Sequence, residues 1–493
     1  MSESPLYRPA HPDGLPVGDD WVAVESSAEV RFPYNGALVA EAPVGDADLA
    51  RRAVEAALAA REPVGRLPSH VRRAVLLAAH AELAAHRGEL EDLLVLETGK
   101  PRVDCRVELD RSLLTLTTAA EEVARLHGET VPLDLLPSGE GLLGFWTRRP
   151  IGVVVGIAGF NYPLLLAAHK LAPALAAGCP IIVKPAPQTP LATLRLVHAV
   201  REALAEAGAP RVAVQLVTGG VDVGVALTTD RRIGAVSFTG SAAVGHLIAR
   251  DAAPTKVLLE LGSNSALVVA EDADLDAAAD AVIRGGYYAS GQACISVQRL
   301  IVVEAVRDAF LQRLAARLSD VVVGDPRDEA TRVSALIDER STARVAQWVD
   351  AAVDAGASLA HGGQVKDGIV QPTVLLDVPR GEDAWDEEIF GPVVAVRSVG
   401  SFEEAIDLVN ASRYGLHASV FTTSLAKAFV AIDRIETGGV VVNEVPGFRS
   451  DVMPYGGVKD SGVGREGPRF AMEELTVTRM AIIRPQGRAG NAR

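Results

Sequence analysis

The most reactive side chain of this sequence sits in a short run of small residues, Ser290-Gly291-Gln292-Ala293-Cys294-Ile295-Ser296. Gly291 permits a turn that a side chain would resist, which lets the peptide bring its own amides against a ligand. A thiol held in such a turn can attack an electrophilic carbon while a nearby amide bonds the oxyanion that forms. A free cysteine is also often no more than buried packing, and the window leaves both readings open. Three further groups stand where short apolar runs end: Lys184 after Pro180-Ile-Ile-Val, Thr239-Gly240-Ser241 after Ala235-Val-Ser-Phe, and Glu260 after Val257-Leu-Leu. The Thr-Gly-Ser turn opens a helix whose free amides could face a phosphate, although without a G-x-G-x-x-G spacing it is weak alone. For Glu260 the plain alternative is a solvated carboxylate at a strand end.

These residues need elements to hold them. The spacing predicts a buried strand from Ile151 that ends at Ala158-Gly159-Phe160-Asn161, then a helix from Pro163 to about Ala177, stopped by Gly178. A strand at 180–184 and a helix to about 207 follow, then strands at 212–217 and 235–239, each followed by a glycine and a helix. Wholly apolar strands alternating with helices mean a parallel sheet covered on both faces. Ligands of such sheets sit beyond the carboxyl ends of the strands, which puts Asn161, Lys184 and Thr239-Gly240-Ser241 on one rim. A second series predicts a further α/β domain that carries Cys294: strands 266–270, 299–303, 393–397 and 440–443, with helices 274–289 and 306–318. Glu388-Ile-Phe390-Gly391-Pro392 falls in a loop, and 443–454 in another. Ahead of these, helices at 46–60, 69–86, 88–98 and 103–126 read as scaffold, with Cys105 packed in the last. The stretch 131–149 reads as a hairpin-like excursion and 485–493 as a frayed polar tail.

At 493 residues, two or three domains are expected, and 48% apolar with 23% charged residues is a globular composition. The net charge of −15 is spread along the chain, which argues against nucleic acid and anionic membrane surfaces as partners. Cys105, Cys179 and Cys294 are odd in number and far apart, a poor disulfide framework that fits a reducing compartment. No C-x-x-C or paired-histidine spacing occurs, so no metal is expected. The charge-free run from Pro150 to His169 is interrupted by Pro163 and by Gly152, Gly156 and Gly159, and reads as strand, turn and helix start instead of a membrane span. With no signal pattern at the N-terminus, a cytoplasmic protein is expected.

Taken in order, Phe160-Asn161, Lys184-Pro185-Ala186, Phe238-Thr-Gly-Ser241, Glu260-Leu261-Gly262, Gly291-Gln-x-Cys294 and Glu388-x-Phe390-Gly-Pro resemble the aldehyde dehydrogenase superfamily of nicotinamide-dependent enzymes. The match runs from about residue 25 to 482 and is nearest the subgroup acting on lactaldehyde, glyceraldehyde 3-phosphate and phosphonoacetaldehyde. The resemblance implies an α/β fold of two Rossmann-like parallel-sheet domains, for coenzyme binding (1–130 and 150–262) and catalysis (263–459). A small β bridging element (131–149 and 460–493) would join subunits into a homodimer or homotetramer. It further implies that Cys294, as thiolate, forms a thiohemiacetal whose oxyanion is held by the Asn161 side chain and the Cys294 amide. Hydride then passes to NAD or NADP, and water activated by Glu260 hydrolyses the thioester. Lys184 would bind the adenine-side ribose, Ser241 a pyrophosphate oxygen and Glu388 the nicotinamide ribose. Ala158, Phe160, Ala186, Phe238, Thr239, Gly240, Leu261 and Phe390 would complete the coenzyme site. Ser263 stands where the family has glycine, and Phe160 where it often has tryptophan. Pro187 stands where NAD-selective relatives often have a glutamate that repels a 2′-phosphate, so either coenzyme is admissible.

The same resemblance lines the substrate pocket with Tyr162, Leu165, His169, Ala293, Ile295, Phe448, Arg449 and Tyr455. His169 and Arg449 favour a short aldehyde with an anionic or hydroxyl group; alternatively they are a satisfied helix histidine and a surface-loop charge. Two rivals stand beside hydrolytic oxidation. A CoA-acylating relative generally lacks the acid at the position of Glu260. A non-catalytic binding or redox-sensing member would have no use for Cys294, Glu260, Asn161 and Lys184 together.

Overall fold

Runs of Val, Ile and Leu without polar interruption suit strands covered on both faces. In the computed structural model, which describes residues 5–485, they build two such sheets. The first has six strands in the order Gly462–Val463, Lys256–Glu260, Ala235–Thr239, Val154–Ile157, Ile181–Lys184 and Val214–Leu216, parallel except for the first. Its register pairs Thr239 with Glu260, Phe238 with Ile157, and Ile157 with Lys184, so the chemistry-bearing residues share one rim. The second has seven strands in the order Ser358–His361, Thr373–Leu376, Val393–Val399, Arg299–Val303, Ala266–Val269, His417–Phe421 and Gly439–Val442, again parallel except at the first edge. The buried segment Leu261–Ser265 joins the two sheets directly.

The helix Pro163–Ala177, apolar except for His169 and Lys170, is buried at every position. Pro163 opens it and Gly178, at φ 83°, closes it, both at the expected residues. The scaffold helices are Ala47–Gly65, Ser69–Ala85, Arg87–Thr98 and Arg102–Glu122. The first outruns its expected end at Ala60 and carries Pro63 in its last turn, where the ring forfeits only one amide bond. The strand expected from Ile151 begins at Val154, because residues up to Pro150 belong to another sheet. That sheet has three strands, with Leu143–Pro150 between Thr130–Val131 and the antiparallel Thr476–Ile483. Within 460–493, then, Gly462–Val463 joins the six-stranded sheet and Thr476–Ile483 the three-stranded one. The tail beyond Pro485 lies outside the described residues. No helix among the described residues is long and apolar enough to cross a membrane.

Candidate active site

The helix Leu275–Tyr287 ends short of the expected 289 in a knot of left-handed backbone, with φ 48° at Ala289, 56° at Ser290 and 74° at Gly291. Each residue with a side chain held there stores about 1–2 kcal/mol. Gly291 is required twice over, because a Cβ there would lie 2.0 Å from the Gly391 carbonyl oxygen. Three contacts hold the turn. The Ala289 amide donates to Asp104 Oδ2 (2.9 Å), the Ser334 amide to Ser290 Oγ (2.9 Å) and the Ile337 amide to Gln292 Oε1 (3.0 Å). The turn delivers Cys294 half-buried, with Sγ 3.3 Å from the Tyr455 hydroxyl. Among the described residues the Cys294 amide has no hydrogen-bond acceptor, so it can bind an oxyanion. Burial pushes the thiol up to about 12 against the pull of Tyr455, so at neutral pH it keeps its proton.

Asn161 lies in the loop before the helix Pro163–Ala177 and donates through Nδ2 to the Gln292 carbonyl (2.8 Å), which ties it to the cysteine turn. Glu260 ends its strand buried, 6% exposed, with Oε2 lacking any partner among the described residues. Burial first, then the charge of Glu466, holds its carboxyl well above the usual range. Glu388 accepts the Ser263 amide on Oε1 (3.0 Å), and burial pushes its carboxyl up to about 7. A Cβ at Gly262 would lie 2.7 Å from Glu388 Oε2, so a side chain there would push that carboxyl aside. Phe160 and Phe390 meet edge to face at 5.7 Å.

Behind this front lies a buried ionic cluster. Lys170 Nζ donates to Thr239 Oγ1 (2.6 Å) and Glu466 Oε1 (3.1 Å), and Arg449 to Glu466 Oε2 (3.1 Å). Arg111 grips both Asp451 oxygens (3.0 and 2.9 Å), and His169 Nε2 meets Asp451 Oδ1 at 2.9 Å. The Arg449 guanidinium also lies 3.7 Å over the Tyr455 ring, and its buried Nε, 3.7 Å from Asp451 Oδ1, has no hydrogen-bond partner among the described residues. Burial works to raise Glu466, but Lys170, His169 and Arg449 outweigh it and hold it well below the carboxylate range. Cys294, Asn161, Glu260 and Glu388, with Arg111, His169 and Arg449 of the cluster, border a cavity of about 310 Å³ between the two parallel sheets, and Lys170, Asp451 and Glu466 stand behind its wall.

Among known proteins, the model of the aldehyde dehydrogenase family matches residues 21–481. The chain belongs to that family. It is 39% identical to 3-sulfolactaldehyde dehydrogenase of Priestia megaterium over 95% of this chain and 98% of that protein. It is 36% identical to aspartate-semialdehyde dehydrogenase 1 of Pseudomonas canavaninivorans over 94% of this chain and 98% of that one. The crystal structure of aldehyde dehydrogenase 21 from Physcomitrella patens, in complex with the reaction product succinate, has a TM-score of 0.93 at 36% identity and covers 96% of this chain and 98% of its own. Glyceraldehyde-3-phosphate dehydrogenase GapN from Methanocaldococcus jannaschii, complexed with NADP, has a TM-score of 0.90 at 35% identity, covering 94% and 100%. The protein is an oxidoreductase acting on aldehydes.

In this aldehyde dehydrogenase the cavity brings together Cys294, Glu260 and Asn161 with Tyr162, Leu165, His169, Ala293, Ile295, Arg449 and Tyr455. Phe160, Thr239, Gly240, Ser241, Leu261, Glu388 and Phe390 line its other side. Five residues singled out from the sequence stand outside it. Ala158, Lys184 and Ala186 continue the same rim one strand further out, the Ala158 amide bonding the Lys184 carbonyl (3.0 Å). Phe238 packs beneath Gly240, where a Cβ would lie 2.5 Å from its ring. Phe448 is 54% exposed and faces away, so the wall is left to its neighbours Gly447 and Arg449. Arg449 is not a surface-loop charge, since its side chain is buried against Glu466 and Asp451, whereas His169 is a buried helix histidine satisfied by Asp451 and Glu466. Arg111, Tyr288 and Arg344 also line the cavity and escaped the sequence reading. No local pattern marks Arg111, which lies on a scaffold helix. Arg344 lies on the helix Glu339–Asp354, with no ion pair or hydrogen bond among the described residues, 4.8 Å over the Trp348 ring.

Proposed function

We propose that this aldehyde dehydrogenase oxidises a short anionic aldehyde to its carboxylic acid, through a thioester on Cys294, with NAD or NADP as oxidant. The observation that carries this is the convergence of the Cys294 thiol and free amide, the Asn161 side chain and Glu260 on one small cavity. The rim beside it suits a dinucleotide. The buried Lys184 ammonium has no hydrogen bond or ion pair among the described residues and would take ribose hydroxyls. The helix Ala242–Ala252 leaves its first amides, at Ala242 and Ala243, without acceptors among the described residues, a fit for pyrophosphate. Glu388 would hold the second ribose, and the exposed Pro187 offers no charge against a 2′-phosphate. A nicotinamide dinucleotide bound there would supply the hydride acceptor for conversion of a Cys294 thiohemiacetal to the thioester.

The protein's own groups do the rest. Cys294 Sγ attacks the carbonyl carbon once its proton has passed to solvent water, and the carbonyl electron pair moves onto the oxygen. The negative oxygen then meets the Asn161 Nδ2 and Cys294 amide donors, each worth about 3–4 kcal/mol in a dry site. Asn161 is neutral, so it stabilises that oxygen without protonating the thiolate. Glu260, as carboxylate, takes the proton of the water that attacks the thioester and frees the acid. Its carboxyl is held above the usual range, so hydrolysis quickens as rising pH ionises it.

Three cations, Arg111, Lys170 and Arg449, face two low-lying carboxylates, Asp451 and Glu466, beside Glu260, whose carboxyl burial and Glu466 bias toward the neutral form. Arg111 and Arg449 bring positive charge to a cavity that Tyr162, Leu165 and Ile295 also line. Names such as sulfolactaldehyde and aspartate semialdehyde among the relatives, and succinate in a solved neighbour, point the same way. Succinic semialdehyde should be a better substrate than hexanal. Arg111→Ala should lower kcat/KM for the anionic aldehyde about tenfold or more, and leave hexanal within about twofold. A clear preference for hexanal in the native enzyme sinks the anionic assignment.

The same proposal makes the six-stranded sheet the coenzyme-binding part, the seven-stranded sheet the catalytic part and the three-stranded sheet a bridge between two or four copies. It also places the enzyme in the cytoplasm, where its three cysteines, all free here, stay reduced.

A further inference from the structure

Besides the Asn161 bond to the Gln292 carbonyl, three contacts hold the left-handed turn before Cys294, and two of them come from the nearby segment 334–337 of the catalytic half. The third comes from the other half of the chain. Asp104, in the first turn of the helix Arg102–Glu122, reaches across a sequence separation of 185 residues to accept the Ala289 amide at 2.9 Å. Ala289 is the first of the three left-handed residues and has a side chain to accommodate there. Among the described residues its amide has no other acceptor. A bond from an amide to a carboxylate is roughly twice as strong as one between neutral groups, so it is suited to holding a strained backbone. Burial pushes the Asp104 carboxyl up to about 6, while the Ala289 amide, Lys100 and Arg332 draw it down, which leaves it ionised at neutral pH.

Asp104 also borders a second cavity, of about 690 Å³, on the far side of the turn. Tyr288, which immediately precedes Ala289, walls both this cavity and the one holding Cys294. The left-handed residues themselves, Ala289 and Ser290 with Gly291, are buried and line neither cavity, so the Asp104 bond is made in a site that water does not reach.

We infer that Asp104 is a positioning residue for the nucleophile: its carboxylate pins the Ala289 amide, and with it the left-handed turn that aims Cys294 Sγ and the Cys294 amide into the active-site cavity. This rests on Cys294 being the nucleophile, as proposed above. Without the acceptor, Ala289 relaxes toward right-handed backbone, the peptides after it rotate, and the cysteine and its oxyanion-binding amide leave their shared aim.

The test compares Asp104→Ala with Asp104→Asn in the full-length enzyme. Asparagine keeps a side-chain oxygen able to accept the Ala289 amide. Alanine should lower kcat about tenfold or more while the KM for aldehyde, the coenzyme affinity by fluorescence titration and the melting temperature change little, and asparagine should restore most of kcat. The second readout is the rate at which iodoacetamide alkylates Cys294, followed by mass spectrometry. It should shift about threefold or more in the alanine variant and return toward the native rate with asparagine. Native kcat and native alkylation rate in Asp104→Ala would overturn the inference. So would equal damage in both variants accompanied by a lower melting temperature, which marks general destabilisation. Alkylation needs no turnover, so a failure of the proposed mechanism, seen as activity surviving in Cys294→Ala, is distinguishable from a failure of the positioning role.

Discussion

Glu260 and Glu466 are both buried carboxyls in one cluster, yet their surroundings drive them apart. Glu260 has an oxygen without a hydrogen-bond partner among the described residues and a neighbouring negative charge, and its carboxyl is held well above the usual range; Glu466 is wrapped by Lys170, His169 and Arg449 and held well below it. Carboxyls separated in this way can divide their tasks, one as a base that must be recharged in each cycle and one as fixed counter-charge. Glu388 is a third case, with its carboxyl pushed up to about 7 by burial. A group raised in this way is neutral below that pH and a double acceptor above it, and only the carboxylate can take both hydroxyls of a ribose. Coenzyme affinity, followed by fluorescence titration from pH 6 to 8, should therefore strengthen as pH rises through about 7. In Glu388→Gln that step should vanish. An unchanged step in the variant would take the ribose role away from Glu388.

Two helices that frame the site begin at buried carboxyl groups supplied by other helices, of which Glu97 is pushed up to about 8 by burial. Glu97 accepts the Leu191 and Ala192 amides (both 2.9 Å), and Glu108 accepts those of Leu164 and Leu165 (2.9 and 3.2 Å). Negative charge at a helix N-terminus offsets its dipole and satisfies amides that water cannot reach. Glu108 also pairs with the buried Lys100, whose ammonium lies 3.7 Å over the ring of Tyr162, next to Asn161. Glu108→Ala strips both amides and strands a buried cation, so unfolding free energy from urea titration should fall by about 3–5 kcal/mol. A loss below about 1 kcal/mol would mean that water replaces the carboxylate there. None of these caps was legible in the sequence, because Glu97 and Glu108 look like any surface glutamate on an Ala/Leu-rich helix. The helix Pro163–Ala177 was legible to the residue, because Pro and Gly act locally at its two ends. The front of the site was legible for a related reason: Asn161, Lys184, Thr239 and Glu260 end apolar strands, and the sheet itself aligns strand ends. Arg111, Lys170 and Glu466 were not, since helix faces and loops meet the cavity only through tertiary packing. In the loop 443–454 no periodicity says that Arg449 turns inward while Phe448 turns out.

At the scale of the molecule, two sheets joined by five buried residues enclose the cavity, and three surfaces are left unfinished. The edge strand Thr476–Ile483 exposes Val477, Met480, Ile482 and Ile483, and the edge strand Gly439–Val442 lies beside a helix that exposes Leu425, Phe429 and Ile432. Strand edges with apolar neighbours favour pairing with another chain. Light scattering should give the mass of a dimer or tetramer at micromolar concentration, and a monomer mass would contradict the bridging role of the three-stranded sheet. The division of labour between Cys294 and Glu260 is tested most directly by rapid mixing of Glu260→Gln with succinic semialdehyde and saturating NAD or NADP, with intact-mass spectrometry of the protein. The expected result is a burst of about one reduced coenzyme per subunit, then near arrest, with an acyl group on Cys294. Steady turnover at the native rate, or a burst with no mass added at Cys294, would contradict it.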